Sequence, residues 1–246
     1  MKASVIHHSL DLLVRLIDTT NGYPIGERDV HFYEDEKELF PRARGVGNYV
    51  FINYERKNRR IMVKTYGYEP ITVDINYENM DSVVPVREIF LIPSENLSRG
   101  GPVISFTGTL SGISEIEAVS LEPSGCTINS YDERKRLIKM FKTRQTNLEN
   151  LYYGLINMEK MNYEKFVVEK EMPDCILKIR EPLKEGFSIN SPIARIVFGM
   201  VDERGNYCLR IRDDRENLKY IIRYVVSGKE NFREIDFRKP EETILE

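Results

Sequence analysis

The chain has 246 residues, 41% hydrophobic and 30% charged, enough for one large or two ordinary domains and too apolar for a disordered polypeptide. A formal net charge of −3 supplies no broad pull toward nucleic acid or an anionic membrane, so neither is expected as a partner. Three cysteines, Cys126, Cys175 and Cys208, are too few and too far apart to outline a disulfide framework or a paired metal site, and they read as reduced or buried thiols.

At the amino terminus Lys2 precedes apolar residues, as in a secretory leader. His7, His8, Asp11 and Arg15 interrupt that run, and no small-residue cleavage site follows. No stretch approaches the roughly 20 apolar residues of a membrane span. The expectation is a protein kept in the cytoplasm, or built into a particle assembled there.

From Leu12 the segment LLVRLID reads as a strand, and TTNGYPIG after it as a turn, with Asn-Gly and Pro at its centre. Val30-His31-Phe32-Tyr33 alternates like a half-buried strand and runs into the acidic Glu34-Asp35-Glu36-Lys37-Glu38, read as a solvated loop. In GVGNYVFINY the glycines permit a tight turn, and Tyr49, Phe51 and Asn53 share the face opposite Val50, Ile52 and Tyr54. ERKNRR makes a charged turn. Ile61 to Tyr66, Ile71 to Ile75 and Val83 to Ile92 follow as strands, with Gly67 marking a bend. About six or seven short strands spaced by turn signals are the pattern of a β-sandwich or barrel.

The Ser-, Gly- and Pro-rich PSENLSRGGP, residues 93 to 102, marks the domain boundary. Beyond it VISFTGTL, SEIEAVSL, RLIKMF, KFVVEKE, CILKI, ARIVFGMV, YCLRI, KYIIRYVV and EIDF read as strands. Residues 145 to 162, with Leu148, Leu151, Tyr152 and Leu155 at helical spacing, are the one helix candidate. The expected fold is all-β: two tandem β-sandwich domains, residues 1–95 and 96–246, the second larger and carrying one short helix.

Gly-Asn-Tyr occurs twice, at Gly47 and at Gly205. Each time there follow an apolar strand, a charged turn (ERKNRR, then DDREN), a second strand, a glycine (Gly67, Gly228) and a third strand. The charged turn reads as a hairpin, longer in the second instance. Two explanations stay open at this level: convergent hairpin chemistry, or an internal duplication that makes the second domain a diverged duplicate of the first.

The order DTTNGYPI from Asp18, a strand at Val30, RGVGNYVFI from Arg44 and KTYGYEPI from Lys64 resembles the carboxypeptidase regulatory-like domain, a transthyretin-like β-sandwich, over residues 10–92. The resemblance implies a Greek-key sandwich of seven or so strands and no catalytic residues. Such domains accompany other proteins as binding or spacing modules, so the likeness narrows the chemistry without assigning a function.

Reactive constellations are sparse. Nucleophilic catalysis needs a base, usually His, and the chain offers only His7, His8 and His31. Adjacent histidines on an extended segment point to opposite faces, which makes joint metal coordination by His7 and His8 awkward. The acidic run after Tyr33 lacks the glycine-punctuated spacing of a calcium loop, and GVGNYV opens a strand rather than the helix a phosphate or dinucleotide loop requires. Arg42 with Arg44, Arg56-Lys57-Arg59-Arg60 and Arg134-Lys135-Arg136 read as charged hairpin turns and edges. No catalytic, cofactor-binding or metal residue is nominated, and no cofactor. The functional expectation is a non-enzymatic structural or adaptor protein acting through protein–protein contacts in a larger assembly, such as a phage-tail-like or contractile injection particle. The alternative is a glycan- or peptide-binding module with Tyr66, Tyr68 and Tyr77 as an aromatic platform. An enzyme would require a pocket in residues 103–246 holding a strongly perturbed acid or thiol, with Cys126, Cys175 and Cys208 as the thiols to watch.

Overall fold

Alternating Val, Ile, Leu, Tyr and Phe between glycine-bearing turns drive this chain into strands almost throughout. A computed structural model describes residues 10–26, 29–94, 103–121, 125–142, 151–184, 187–212 and 218–239. His7 and His8, most of the expected boundary segment, and the DDREN turn lie outside the described residues. The chain divides into two compact units, residues 1–19 with 23–99, and residues 20–22 with 100–246.

The amino-terminal unit holds β1 (Leu10–Asp18), β2 (Val30–Glu34), β3 (Lys37–Leu39), β4 (Arg42–Ala43), β5 (Asn48–Ile52), β6 (Arg59–Thr65), β7 (Ile71–Ile75) and β8 (Val86–Leu91). They form two four-stranded sheets, β4-β5-β1-β8 and β3-β2-β6-β7. Leu12, Val14, Leu16, Phe32, Tyr49, Phe51, Ile61 and Val63 fill the core between them. Tyr49 and Phe51 share the buried face, as the alternation in NYVFI predicts. The acidic run is not a loop. Asp35 and Glu36 take φ of +46° and +65°, making a two-residue turn between paired β2 and β3, whose handedness suits the strand twist. Gly67, at φ +82°, sits in the turn after β6 and accepts the Ser94 N–H at 2.9 Å.

The carboxy-terminal unit holds β9 (Val103–Thr109), β10 (Ile113–Ser120), β11 (Cys126–Asp132), β12 (Leu137–Lys142), β13 (Tyr152–Asn157), β14 (Asn162–Met172), β15 (Ile176–Ile179), β16 (Ile193–Val201), β17 (Asn206–Arg212), β18 (Lys219–Val226) and β19 (Lys229–Asp236). Hydrogen bonding runs β11-β12-β15-β14-β13-β16-β10-β18-β19, with β17 joining β16 to β9. The expected helix is absent among the described residues: residues 152–157 are strand β13, and 145–150 lie outside them. Flanked by β14 and β16 and buried on both faces, β13 needs a continuous apolar run, and LYYGLI therefore loses the alternation that marks a strand. No helix among the described residues is long and apolar enough to cross a membrane.

The recurrent Gly-Asn-Tyr is one local device built twice. Gly47 and Gly205 have φ of +69° and +79°, a region where a side chain is strained. Each glycine carbonyl accepts from a leucine, Leu16 N–H on β1 at 2.8 Å and Leu110 N–H just past β9 at 2.9 Å. The asparagine carbonyls accept from the residues that open the turns, Arg44 N–H at 2.8 Å and Asp202 N–H at 2.9 Å. Each asparagine Oδ1 accepts from the side chain of its register partner, Arg15 Nε at 3.3 Å and Thr109 Oγ1 at 2.7 Å. Each tyrosine then packs against a phenylalanine, Tyr49 on Phe32 at 5.0 Å and Tyr207 on Phe106 at 5.4 Å between ring centroids.

The pairings around the device also recur. β5 lies between β4 and β1, and β17 between β16 and β9, while β2-β6-β7 is matched by β10-β18-β19. The strand that follows each Gly-Asn-Tyr strand pairs elsewhere, so neither β5 with β6 nor β17 with β18 forms the hairpin that the sequence suggests. The amino-terminal unit breaks β3 from β4 at Phe40-Pro41. The other unit runs one strand instead: β16 pairs with β10 through Ile196–Phe198 and with β17 through Gly199–Val201. Strands β11 to β15 enter between β10 and β16. One position differs: β1 has β8 as a parallel second neighbour, whereas β9 pairs with β17 alone among the described residues.

Candidate functional site

In the carboxy-terminal unit the sheet of β10 and β18 is buried on both faces. Ile116, Ala118, Tyr220, Ile222 and Tyr224 face one core, while Val119 and Ile221 face a second that includes Tyr163, Ile156 and Ile196. The sheet curls so that β14 comes opposite β18 and β19, with Tyr163 edge-on to Phe232 at 5.6 Å. Gly154 makes the approach possible, since a Cβ there would lie 2.7 Å from Val119 Cγ1 and 2.9 Å from Tyr163 Cδ2.

Where this second core ends, an open cleft of about 350 Å³ begins, lined on one side by β14 and residues 181–184 and on the other by Arg223, Glu230 and Phe232. Glu117 on β10 lies behind the lining residues Tyr163, Lys165 and Arg223, its side chain 4% exposed. A buried carboxylate must be paired, and this one is. Glu117 Oε2 accepts from Lys165 Nζ at 2.8 Å, and Oε1 accepts from Arg223 Nη1 and from the Tyr163 hydroxyl, each at 3.3 Å. Arg223 is the register partner of Glu117 and also donates to Glu115 at 2.9 Å and to Glu230 at 2.6 Å.

Two ionisation equilibria respond to this environment. Burial, reinforced by the Glu117 charge, pushes the Tyr163 hydroxyl well above the usual tyrosine range. Burial alone would loosen the proton on Arg223, but the carboxylates of Glu230, Glu117 and Glu115 more than reverse it, so the guanidinium is fixed as a cation. Across the mouth stand Glu164, Glu181 and Lys184, with Phe166 and Phe232 as apolar surfaces. Chemically the cleft offers both signs of charge beside aromatic rings, an arrangement suited to a zwitterionic or peptide-like group.

Sequence reasoning did not find this cluster, whose members come from β10, β14, β18 and β19. A signal was present. In ISEIEAVS Glu117 sits within the apolar run Ile116, Ala118 and Val119, where a carboxylate on a two-sided buried strand needs partners.

The residues singled out from sequence fall elsewhere. Cys126 is buried, Cys175 and Cys208 are half-buried, and none lines the cleft. His31 is exposed, with Nδ1 2.6 Å from Glu38 Oε1. Tyr66 is exposed and Tyr68 donates to Asp18 at 3.0 Å, both at one end of the β6–β7 hairpin. Tyr77 lies at the other end, its N–H on Asn58 Oδ1 at 3.1 Å, so the three tyrosines form no common platform. Most of the central basic cluster is engaged. Arg56 binds the Ser82 and Leu10 carbonyls at 2.6 and 2.7 Å, Arg59 pairs with Glu34 at 2.9 Å and lies over the Tyr54 ring, and Arg60 pairs with Asp74. Lys135 and Arg136 belong to the tight turn between β11 and β12, where Arg136 donates to the Arg180 carbonyl.

Compared with known proteins, the chain matches no protein-family model and no curated protein sequence. The fold and the cleft therefore define it as an all-β protein of two units, with a charge-lined cleft in the second.

Proposed function

We propose that this chain is a non-enzymatic structural or adaptor protein that works through protein–protein contacts in a larger assembly. The observation that carries the reading is the supply of sheet edges with a single neighbour among the described residues, among them β7 and β8 in one unit and β9 and β19 in the other. Such edges present backbone donors and acceptors that a partner strand can complete. Exposed apolar side chains add surface for docking, Phe40 at 84% and Val83 at 76% exposure in the amino-terminal unit and Ile189 at 67% in the other. Eight strands in two four-stranded sheets over residues 10–91 support the carboxypeptidase regulatory-like reading of the first unit. The local match at the two Gly-Asn-Tyr sites supports a diverged duplication. A phage-tail-like or contractile injection particle is the assembly this reading has in view.

The test is affinity capture from its source with the purified chain as bait, followed by reconstitution of each captured contact from purified components. Stoichiometric complexes with subunits of one particle support the proposal. Failure of every captured protein to bind again in purified form refutes it.

The cleft favours a second reading, a peptide-binding module. It predicts that short zwitterionic peptides raise the melting temperature, and that Glu230→Gln removes the effect. A flat melting temperature across a peptide and glycan panel refutes it.

A further inference from the structure

Exposed edges invite association, and proteins blunt them with charge, proline, bulges or covering segments. The edges in this structure differ in how they are protected. β19 carries Lys229, Glu230, Arg233 and Glu234. β7 is short and carries Asp74, paired with Arg60. β11 has a register shift between Ile128 and Ser130 and is crossed by hydrogen bonds from Asn190 and to Ser191. β3 and β4 are two or three residues long, and β8 carries Arg87 and Glu88. Among the described residues β9 has none of these devices: Val103-Ile-Ser-Phe-Thr-Gly-Thr109 contains no charge and no proline, and it pairs with β17 in unbroken register.

The direction of its backbone follows from the ladder. Leu110 N–H donates to Gly205 O, and antiparallel bonding alternates, so Ile104, Phe106 and Gly108 bond to β17. The N–H and C=O groups of Val103, Ser105, Thr107 and Thr109 therefore point away from it. In the other unit the matching strand β1 spends those same alternate groups on β8, with Leu13 N–H on Pro85 O at 2.8 Å.

We propose that β9 pairs antiparallel with β9 of a second copy of this chain, about a two-fold axis normal to the sheet and midway between the two Phe106 residues. This deepens the interaction reading and rests on it. In that register Val103 meets Thr109 and Ser105 meets Thr107 of the other copy, so every outward-facing residue finds an outward-facing one. The four pairs exchange about eight backbone hydrogen bonds. Ser105, Thr107 and Thr109 are exposed, so the cross-strand side-chain pairs are hydroxyl with hydroxyl and methyl with methyl, with no like charges opposed. A second copy fits this edge better than a charged strand would, because an uncharged strand asks its partner for no counter-charge. The contact is isologous and closes at two copies, extending the β16-β17-β9 layer into one continuous sheet across the dimer.

The experiment is sedimentation velocity on the full chain over a concentration series, with two variants. Thr107→Pro removes an outward N–H and leaves the ladder to β17 intact. Ser105→Lys brings an ammonium from each copy beside the axis. The expected result is a species of twice the 28.8 kDa chain mass whose dissociation constant rises at least about tenfold in each variant, while the melting temperature of dilute monomer is unchanged. A chain that stays monomeric at its highest soluble concentration overturns the pairing, as does a dimer that neither variant weakens. If that monomer still binds another purified protein, the interaction reading survives the loss of the dimer; if it binds none, both fall.

Discussion

Replacing Glu117 by Gln removes the negative charge behind the cleft lining and keeps the side chain's shape. Stranding one member of a fully buried ion pair costs about 3–5 kcal/mol. Here the partners are partly protected from that cost. The Lys165 side chain is 35% exposed and can be rehydrated, and Arg223, at 12%, keeps Glu115 and Glu230. The expected loss is therefore ~2 kcal/mol of folding free energy. With a urea m-value of about 2 kcal/mol/M, the midpoint falls by about 1 M. The chain has no Trp, so unfolding is followed by tyrosine fluorescence and far-ultraviolet circular dichroism. Lys165→Met in the Glu117→Gln background should recover part of the loss, because the stranded ammonium is gone. A Glu117→Gln protein within about 0.5 kcal/mol of wild type would refute the reasoning and reduce the network to a solvated surface cluster.

Gly205→Ala and Gly47→Ala should each destabilise by ~2 kcal/mol or more. Both positions need positive φ, and a Cβ at Gly205 would run into the Leu110 carbonyl while one at Gly47 would lie 2.9 Å from the Leu16 carbonyl. Equal tolerance of Ala at both, read by chemical denaturation, would count against a shared device. Gly154→Ala should separate β14 from β10 and lower the melting temperature by several degrees, with an apparent loss of about 1–3 kcal/mol from overpacking. Tyr54 is pushed up to about 12 by burial, against the pull of Arg59, and burial likewise raises Tyr77, Tyr153 and Tyr163. A hydroxyl whose folded pKa lies above its unfolded value contributes stability that is intact below about pH 10 and lost as pH climbs toward the folded value. Absorbance titration at alkaline pH should thus show a delayed group of tyrosines that ionise only as the protein unfolds. Ionisation of all fourteen in one phase near pH 10 would contradict the burial.

Most of the strands were legible because their chemistry is local. Alternation in Val30-His31-Phe32-Tyr33, in NYVFI and in ITVDI requires only that one face be buried, and glycine at Gly47, Gly67, Gly205 and Gly228 marks where the chain must turn with positive φ. The failures occurred where burial is two-sided or a turn lacks glycine. β13 looked helical because both its faces are covered and its period vanished, and Asp35-Glu36 looked like a loop because charge hid a tight turn.

What the sequence determined by itself was the all-β class, most strand positions and the recurrence of Gly-Asn-Tyr, all consequences of backbone sterics and nearest-neighbour burial. Only the tertiary structure decided which strands pair, that the strands after the two Gly-Asn-Tyr strands do not pair back on them, and that Glu117, Lys165, Arg223 and Glu230 meet in one network beside the cleft. Those facts depend on how far the sheet curls before its distant strands face one another. Curl is the accumulated twist of many strands, so no single stretch of residues encodes it.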